Sequence, residues 1–453
     1  MRMRTIVLLA TFAALAATAT SAVFAQGPTG QDPGQLVDEA WQVINRDFVD
    51  PTYHHHDWPR TRREILSKKY ESTKEAYAAI AGMLKELDDP QTRLLSQAEL
   101  ASTIQELTGE LADIGLADPW VIQDEKTGEL QLVHLIADSP ALKAGLRPHD
   151  VIETIDGAPA ATLNRDEAFA RIRGKAGTLV RLTVRRGKAS FDLSLMREML
   201  TQRTVVHTSA TNKEGRIFGY IALSQFAVHS GEEMRNAIND LLNGKAEGFV
   251  LDLRNNPGGF VPASREIASL FLGEKAIYYS MDRTGASREV VGTGSPLTDR
   301  PVVVLVNDAT ASAAEILAGA LKDNHRAVLV GSRTFGQGLV HSVRTLSDGS
   351  GLVVAIAHFK TPAGREVHLK GIEPDLPVET PGQLLTPSEV ATSKDLQYEK
   401  AVETLLQRVN SRRSLGTAAS LFLDLCSAPY SDSTESGKWP FSACHFPGSA
   451  LRS

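Results

Sequence analysis

The feature that most constrains the fold is the run 302–306, where every side chain is apolar and all but Leu305 are valine. A run with no polar position cannot be a half-exposed strand, so it reads as a parallel strand covered on both faces. Residues 307–310 read as the turn after it. From Ala311 to Leu321 the sequence is rich in helix formers, and Ile316, Ala320 and Leu321 fall on one stripe. Strand, turn and helix in that order predict a layered α/β core. The pattern repeats nearby: strands are predicted over 219–223, 248–253 and 327–331, and helices over 231–242 and 263–271.

Ser312 stands at the start of the helix that follows the central strand. Two readings are open there. A serine at a helix start commonly caps the free N–H groups. The same field stabilises negative charge, which suits a nucleophile whose substrate develops an oxyanion. A glycine-bearing turn, Arg254-Asn255-Asn256-Pro257-Gly258-Gly259, follows the strand over 248–253 and is either a tight turn or an exposed row of amide donors. Asp252 and Arg254 are placed to pair and hold it. Beyond the strand over 327–331 lies a second glycine-rich loop, Thr334-Phe335-Gly336-Gln337-Gly338, with His341 shortly after.

The remaining chain organises around this core. Residues 1–25 combine Arg2 and Arg4, an apolar stretch over 6–17 and small residues at the end, the pattern of a secretory signal peptide. Residues 26–108 carry helical periodicity and form an expected all-helical module, with the turn Asp88-Asp89-Pro90-Gln91-Thr92-Arg93 between its last two helices. Its helices suit a homodimer contact or a scaffold. Residues 109–199 read as short strands with one or two helices. The core spans 200–385, a helix covers 386–410, and the Ser-, Gly- and Pro-containing stretch 411–453 reads as a flexible tail. Its cysteines, Cys426 and Cys444, can close one loop in an oxidising compartment or stay unpaired.

A formal net charge of −6 gives no basic footprint, and no zinc-finger, P-loop or helix-turn-helix spacing occurs, so nucleic acid and nucleotides are not expected partners. His54-His55-His56 reads as a solvated loop, because adjacent side chains cannot easily converge on one ion. No metal and no cofactor are expected.

Several segments in order resemble one family. Leu251-Asp252-Leu253-Arg254-Asn255-Asn256-Pro257-Gly258-Gly259, Thr310-Ala311-Ser312-Ala313-Ala314-Glu315, Thr334-Phe335-Gly336, Gly338-Leu339-Val340 and Gly371-Ile372-Glu373-Pro374-Asp375 are similar to the catalytic core of the carboxyl-terminal processing peptidases, also called tail-specific proteases. Ala137 to Ile152, with Ile155-Asp156-Gly157, resembles a PDZ domain of the bacterial protease type. The resemblance implies an α+β multidomain chain: a helical module, a PDZ domain, and a crotonase- or ClpP-like serine peptidase core. It implies Ser312 as nucleophile, the amides of Gly258 and Ala313 as oxyanion hole, and Ile114, Gly115 and Leu116 as the loop that holds a peptide's terminal carboxylate. Protein C-termini would be the substrates, met outside the cytoplasm in a periplasm, a thylakoid-type lumen or the medium.

Two departures stand out. The family's catalytic lysine falls at Gln337 and its supporting glutamine at His341. Glutamine cannot accept a proton, so His341 is the candidate general base; Lys322 and Arg333 are poor substitutes and Lys360 a remote one. Without a working base, the chain would instead be a catalytically weak or inactive peptide-binding adaptor. In the PDZ loop, Asp113 replaces a family glycine and Asp118 follows, so carboxylates flank the place where a tail's carboxylate should dock.

Overall fold

The computed structural model describes residues 32–427, apart from residues 109, 117–120, 125–126, 133–134, 137–138, 164, 202, 213 and 380–388. The signal-like stretch 1–25 and the pairing of Cys426 with Cys444 lie outside the described residues. Two compact units divide the chain, Met1–Leu405 and Leu406–Ser453. No helix among the described residues is long and apolar enough to cross a membrane.

The first unit opens with helices α1 (Pro33–Asp47), α2 (Trp58–Leu66) and α3 (Thr73–Leu84). Each starts at an Asp or Ser whose side chain accepts a backbone N–H, at Asp32, Asp57 and Ser72, which supplies the missing first-turn partners. Their apolar faces, including Val37, Ala40, Ile44 and Ile80, are buried within the chain itself. The module is not wholly helical. Strand β1 (Arg93–Leu95) runs antiparallel to a strand of the peptidase core, Arg93 opposite Val353 and Leu95 opposite Gly351, before helix α4 (Gln97–Thr108). Three residues are too few to show an alternation, which is why the sequence reads there as a turn.

Strands β2 (Glu110–Asp113) and β9 (Glu198–Thr201) pair antiparallel and pin together the entry and exit of the next domain. Between them lie β3 (Val121–Gln123), β4 (Leu130–Leu132), the short helix α5 (Pro140–Lys143), β5 (Val151–Ile155), β6 (Ala158–Pro159), α6 (Arg165–Ile172), β7 (Leu179–Arg186) and β8 (Ala189–Met196). The sheet runs β3-β4-β5-β7-β8, with β6 beside β5, around a core that includes Ile114, Leu116, Ile155, Phe169 and Val180.

The peptidase core has two sheets. One, in the order β10 (Val205–Thr211), β11 (Ile217–Leu223), β12 (Phe249–Asp252), β15 (Val302–Val306), β16 (Ala327–Gly331) and β19 (Leu376–Pro377), is parallel except for β10. Every residue of β12 and β15 is buried, as a parallel strand covered on both faces requires. Helices α7 (Ser230–Asn243), α8 (Val261–Leu272) and α9 (Ala313–Asp323) are the crossovers, and α9 packs on α8 and on β13 of the second sheet. That sheet contains β13 (Ala276–Asp282), β14 (Ser287–Val291), β17 (Leu339–Thr345) and β18 (Gly351–Lys360); β1 and β13 flank the two ends of one edge of β18, and β17 runs along the other. Covered by strands and α8, α9 is buried from Ala313 through Leu321. Helix α10 (Leu396–Ser427) begins in the first unit, where Tyr398, Ala401 and Leu405 are buried.

Candidate active site

The turn after β15 is stitched to the turn after β12. Thr310 Oγ1 donates to the Leu253 carbonyl at 2.8 Å, the Ala311 amide donates to the Asn256 carbonyl at 2.9 Å, and the Asn255 amide donates to Asn307 Oδ1 at 2.9 Å. These bonds deliver Ser312 to the N-cap of α9 with φ 53° and ψ −117°. An ordinary capping residue is extended there. A side-chain-bearing residue at positive φ is strained, and such strain persists where surrounding structure enforces it and function uses it. The capping position predicted from the sequence is real, but the backbone is that of a sharp strand-to-helix elbow.

Gly258 lies directly against this elbow. Its φ is +98°, and a Cβ built there would fall 2.8 Å from Ser312 Cβ and 2.9 Å from the Ala313 amide nitrogen. Glycine therefore keeps open the space over the Ala313 N–H, which has no hydrogen-bond partner among the described residues. The Gly258 N–H itself is taken. It donates to Asn256 Oδ1 at 2.9 Å, and Asn256 is fully buried with its own Nδ2 on the Leu223 carbonyl at 2.7 Å. Of the two amides expected to form an oxyanion hole, this structure leaves one free.

The residue that sequence reasoning passed over is Glu315. It is fully buried and gathers the site around one carboxylate. Oε2 accepts the Ser312 amide at 3.0 Å and the Gln337 amide at 2.8 Å, which sets those nitrogens within about 6 Å of each other. Oε1 accepts the Gly336 amide at 2.8 Å and the Thr334 hydroxyl. Burial pushes the Glu315 carboxyl above its usual range, and the four donors oppose that shift. Its sequence signal was present: Ser312-Ala-Ala-Glu315 has capping-box spacing.

The general-base candidates are placed as follows. Gln337 joins the site through its backbone, as described. His341 lies on β17 just past a register shift, and its Nε2 is 3.1 Å from Asp89 Oδ2 in the turn before β1. Thr92 Oγ1 also donates to that oxygen, at 2.7 Å. Burial raises the Asp89 carboxyl, but the hydrogen bonds and charge of His341 and the bond from Thr92 outweigh it, so Asp89 stays ionised below its ordinary value. No hydrogen bond joins His341 to Ser312 among the described residues. Lys322 pairs with Asp375 at 3.0 Å, Lys360 with Glu366 at 2.6 Å and Arg333 with Glu373 at 3.9 Å, so each of these three cations already has a carboxylate.

Arg254 and Asp252 pair at 2.6 Å, as their spacing suggested, and Arg254 also reaches Asp395 at 2.8 Å, bracing the turn from behind. In the PDZ loop, Ile114 and Leu116 are fully buried core residues. The amides of Ile114 and Gly115 both point to Asp113 Oδ1.

Two large apolar side chains stand out in solvent beside the loop: Phe335 is 63% exposed and Leu369 84%. Leu369 donates its amide to the Gly336 carbonyl at 2.8 Å and holds φ at +59°. A leucine there carries the strain of a left-handed backbone and gains no burial. Leu369→Gly is expected to raise stability by about 1 kcal/mol, read as a higher urea midpoint at unchanged slope. An unchanged or lower midpoint would show that the apolar side chain has a compensating contact.

Residues 217–378 match the model of peptidase family S41, and residues 135–186 match a PDZ domain. The chain is 40% identical over 373 residues to a carboxyl-terminal-processing protease of Synechocystis, covering 82% of this chain and 86% of that protein. It is 34% identical over 400 residues to the chloroplastic carboxyl-terminal-processing peptidase 3 of Arabidopsis thaliana, covering 84% of this chain and 76% of that one. Among solved structures it is similar to a photosystem II D1 C-terminal processing protease, at 32% identity and a TM-score of 0.53, over 77% of this chain and 94% of that one. With the strained serine, the bare Gly258 and both domain matches in place, the chain belongs to the carboxyl-terminal-processing proteases, serine peptidases of family S41 that carry a PDZ domain.

Proposed function

We propose that this chain is an exported serine-type endopeptidase that cuts proteins near their C-termini, after its PDZ domain has taken up the tail as an added strand. The observation that carries the reading is the elbow: Ser312 strained at positive φ, beside an unpartnered Ala313 amide and under the bare Cα of Gly258. Ser312 Oγ attacks the scissile carbonyl. Its oxygen moves toward the Ala313 N–H as charge develops, into the room that the missing Gly258 side chain leaves. Gln337 holds the loop through its amide and cannot take the proton. His341, oriented by Asp89, is the base, in the way a carboxylate orients the imidazole of a serine hydrolase. At about 3.3 Å per residue, His341 lies up to about 13 Å along the strand from Gln337. The transfer therefore requires the loop to close on bound substrate until His341 reaches Ser312 directly or through one water. Export rests on the signal-like residues 1–25, and agrees with the chloroplastic and cyanobacterial relatives.

One observation favours a second reading, a peptide-binding adaptor with no peptidase activity: among the described residues, no base is hydrogen-bonded to Ser312. Cleavage of an unfolded protein with small apolar C-terminal residues decides between them. The wild type is expected to cut, with a rate that rises through about pH 6 to 7 as an imidazole loses its proton. Ser312→Ala and His341→Gln should each lose at least about a thousandfold. A wild type that is inactive, with cutting restored by Gln337→Lys together with His341→Gln, would establish the adaptor.

A further inference from the structure

The turn from Asp113 to Leu116 is where a PDZ domain offers backbone N–H groups to the terminal carboxylate of a peptide. Here a carboxylate already occupies it. Asp113, 3% exposed, accepts the amides of both Ile114 and Gly115 on Oδ1, the second at 3.1 Å. Its other oxygen faces Arg173 Nε at 3.7 Å. Backbone amides on one side and a guanidinium on the other are the partners that an arriving tail would need for its own terminus.

The loop has no freedom to aim elsewhere. The Gly115 carbonyl accepts the Ile136 amide at 3.0 Å and the Ile114 carbonyl accepts the Ala141 amide at 2.7 Å. Gly115 itself, at φ +99°, lies so close to Ser139 that a Cβ would fall 2.1 Å from the serine's Cβ. Ile114 and Leu116 anchor both sides of the glycine in the domain core. Burial pushes the Asp113 carboxyl above its usual range, against the opposing pull of Arg173 and the loop amides, so it is the side-chain oxygen's place on the two amides, more than its charge, that fills the seat. An incoming tail would have to displace a group that is covalently tethered to the site, and so present there at high effective concentration.

We propose that Asp113 is a built-in ligand of the PDZ loop, so that this domain holds a substrate as an added strand without reading its terminal carboxylate. The substrate class is then any extended segment, with a free, blocked or continuing end. This deepens the tail-capture part of the proposed function and rests on it.

The test measures binding alone, in the full chain carrying Ser312→Ala, so a failure of the peptidase reading leaves it untouched. A short labelled apolar peptide is made with a free C-terminal carboxylate and as the C-terminal amide, and the affinities are read by fluorescence anisotropy. The parent is expected to bind the two forms within about twofold of each other. Asp113→Gly empties the seat and should prefer the free acid by about tenfold or more. Asp113→Asn, whose side-chain oxygen can still accept both amides, should remain as indifferent as the parent. A parent that prefers the free acid tenfold overturns the proposal. So does an Asp113→Asn chain that gains the preference, because charge rather than occupancy would then be the cause, and so does the absence of binding in all three. Should Asp113→Gly not fold, hydrogen exchange in the parent decides: the Ile114 and Gly115 amides should be protected without peptide, and fast exchange there overturns the proposal.

Discussion

Glu315→Ala is expected to lower cleavage by about a hundredfold or more and to destabilise the core by about 3 kcal/mol, because one buried carboxylate positions both halves of the site. Removing it strands the amides of Ser312, Gly336 and Gln337 and the Thr334 hydroxyl, each worth about 1 to 3 kcal/mol when left unpaired in the interior, with relaxation recovering part. A shift of the nucleophile of only about 1 Å accounts for the rate. Glu315→Gln separates the contributions. Its single oxygen can serve one pair of donors, while its NH₂ confronts the other pair, so it should keep part of the stability and little of the activity. Urea unfolding and initial cleavage rates measure the two effects. Full activity in Glu315→Gln would mean that the elbow holds Ser312 without help from the loop.

Arg254→Ala is expected to cost about 3 to 5 kcal/mol, the range for breaking a buried ion network by removing one member. The guanidinium, 9% exposed, bridges Asp252 and the fully buried Asp395, and Tyr220 donates to Asp252 at 2.8 Å. Burial alone raises the Asp395 carboxyl, but the Arg254 hydrogen bonds and charge pull it below its ordinary value. A depressed carboxyl contributes stability that is present above the unfolded value of about 3.9 and is lost as pH falls through the lower folded value. Without Arg254 the burial of Asp395 is opposed only by backbone amides such as those of Tyr398 and Ala391, its carboxyl rises, and acid relieves the variant instead of weakening it. The stability gap between wild type and Arg254→Ala should therefore narrow below about pH 4. Equal pH slopes in urea titrations at pH 3 to 7 would exclude this coupling. Arg254→Lys keeps the charge but loses the fork that spans two carboxylates, and should fall between the two.

The elements most legible from sequence are those whose pattern is unbroken. The runs that became β15 and β16 have the same bounds in the structure as in the sequence reading, because a fully buried strand leaves no polar residue to blur its ends. Helix α9 starts two residues later than its composition suggests, since Ser312 turns to positive φ first. The hairpins β7/β8, β13/β14 and β17/β18 were hardly visible as pairs: their exposed faces mix Arg, Ser and Glu with apolar residues. At the site, Ser312, Gly258 and Ala313 were readable because local motifs carry them. The contact of His341 with Asp89 was not, since 252 residues separate them and long-range contacts such as the pairing of β1 with β18 bring the turn to β17. Asp113 was read as a source of repulsion; that it folds back onto the next two amides is a matter of local geometry that residue type alone does not give.

Helices α1 to α3 complete their apolar core with Leu339, Leu346, Leu352 and Val354, and Tyr77 hydrogen-bonds Asp348 across 271 residues. On the ribosome this module therefore cannot finish folding until nearly the whole peptidase core has emerged. Its contact order is high, and the entropy of closing so long a loop is lost before any burial is gained. Until β17 and β18 arrive, Val37, Ile44 and Ile80 remain uncovered and open to premature association with other chains. The docking of β1 on β18 also brings Asp89 to His341, so the base proposed here is assembled only once that pairing has formed.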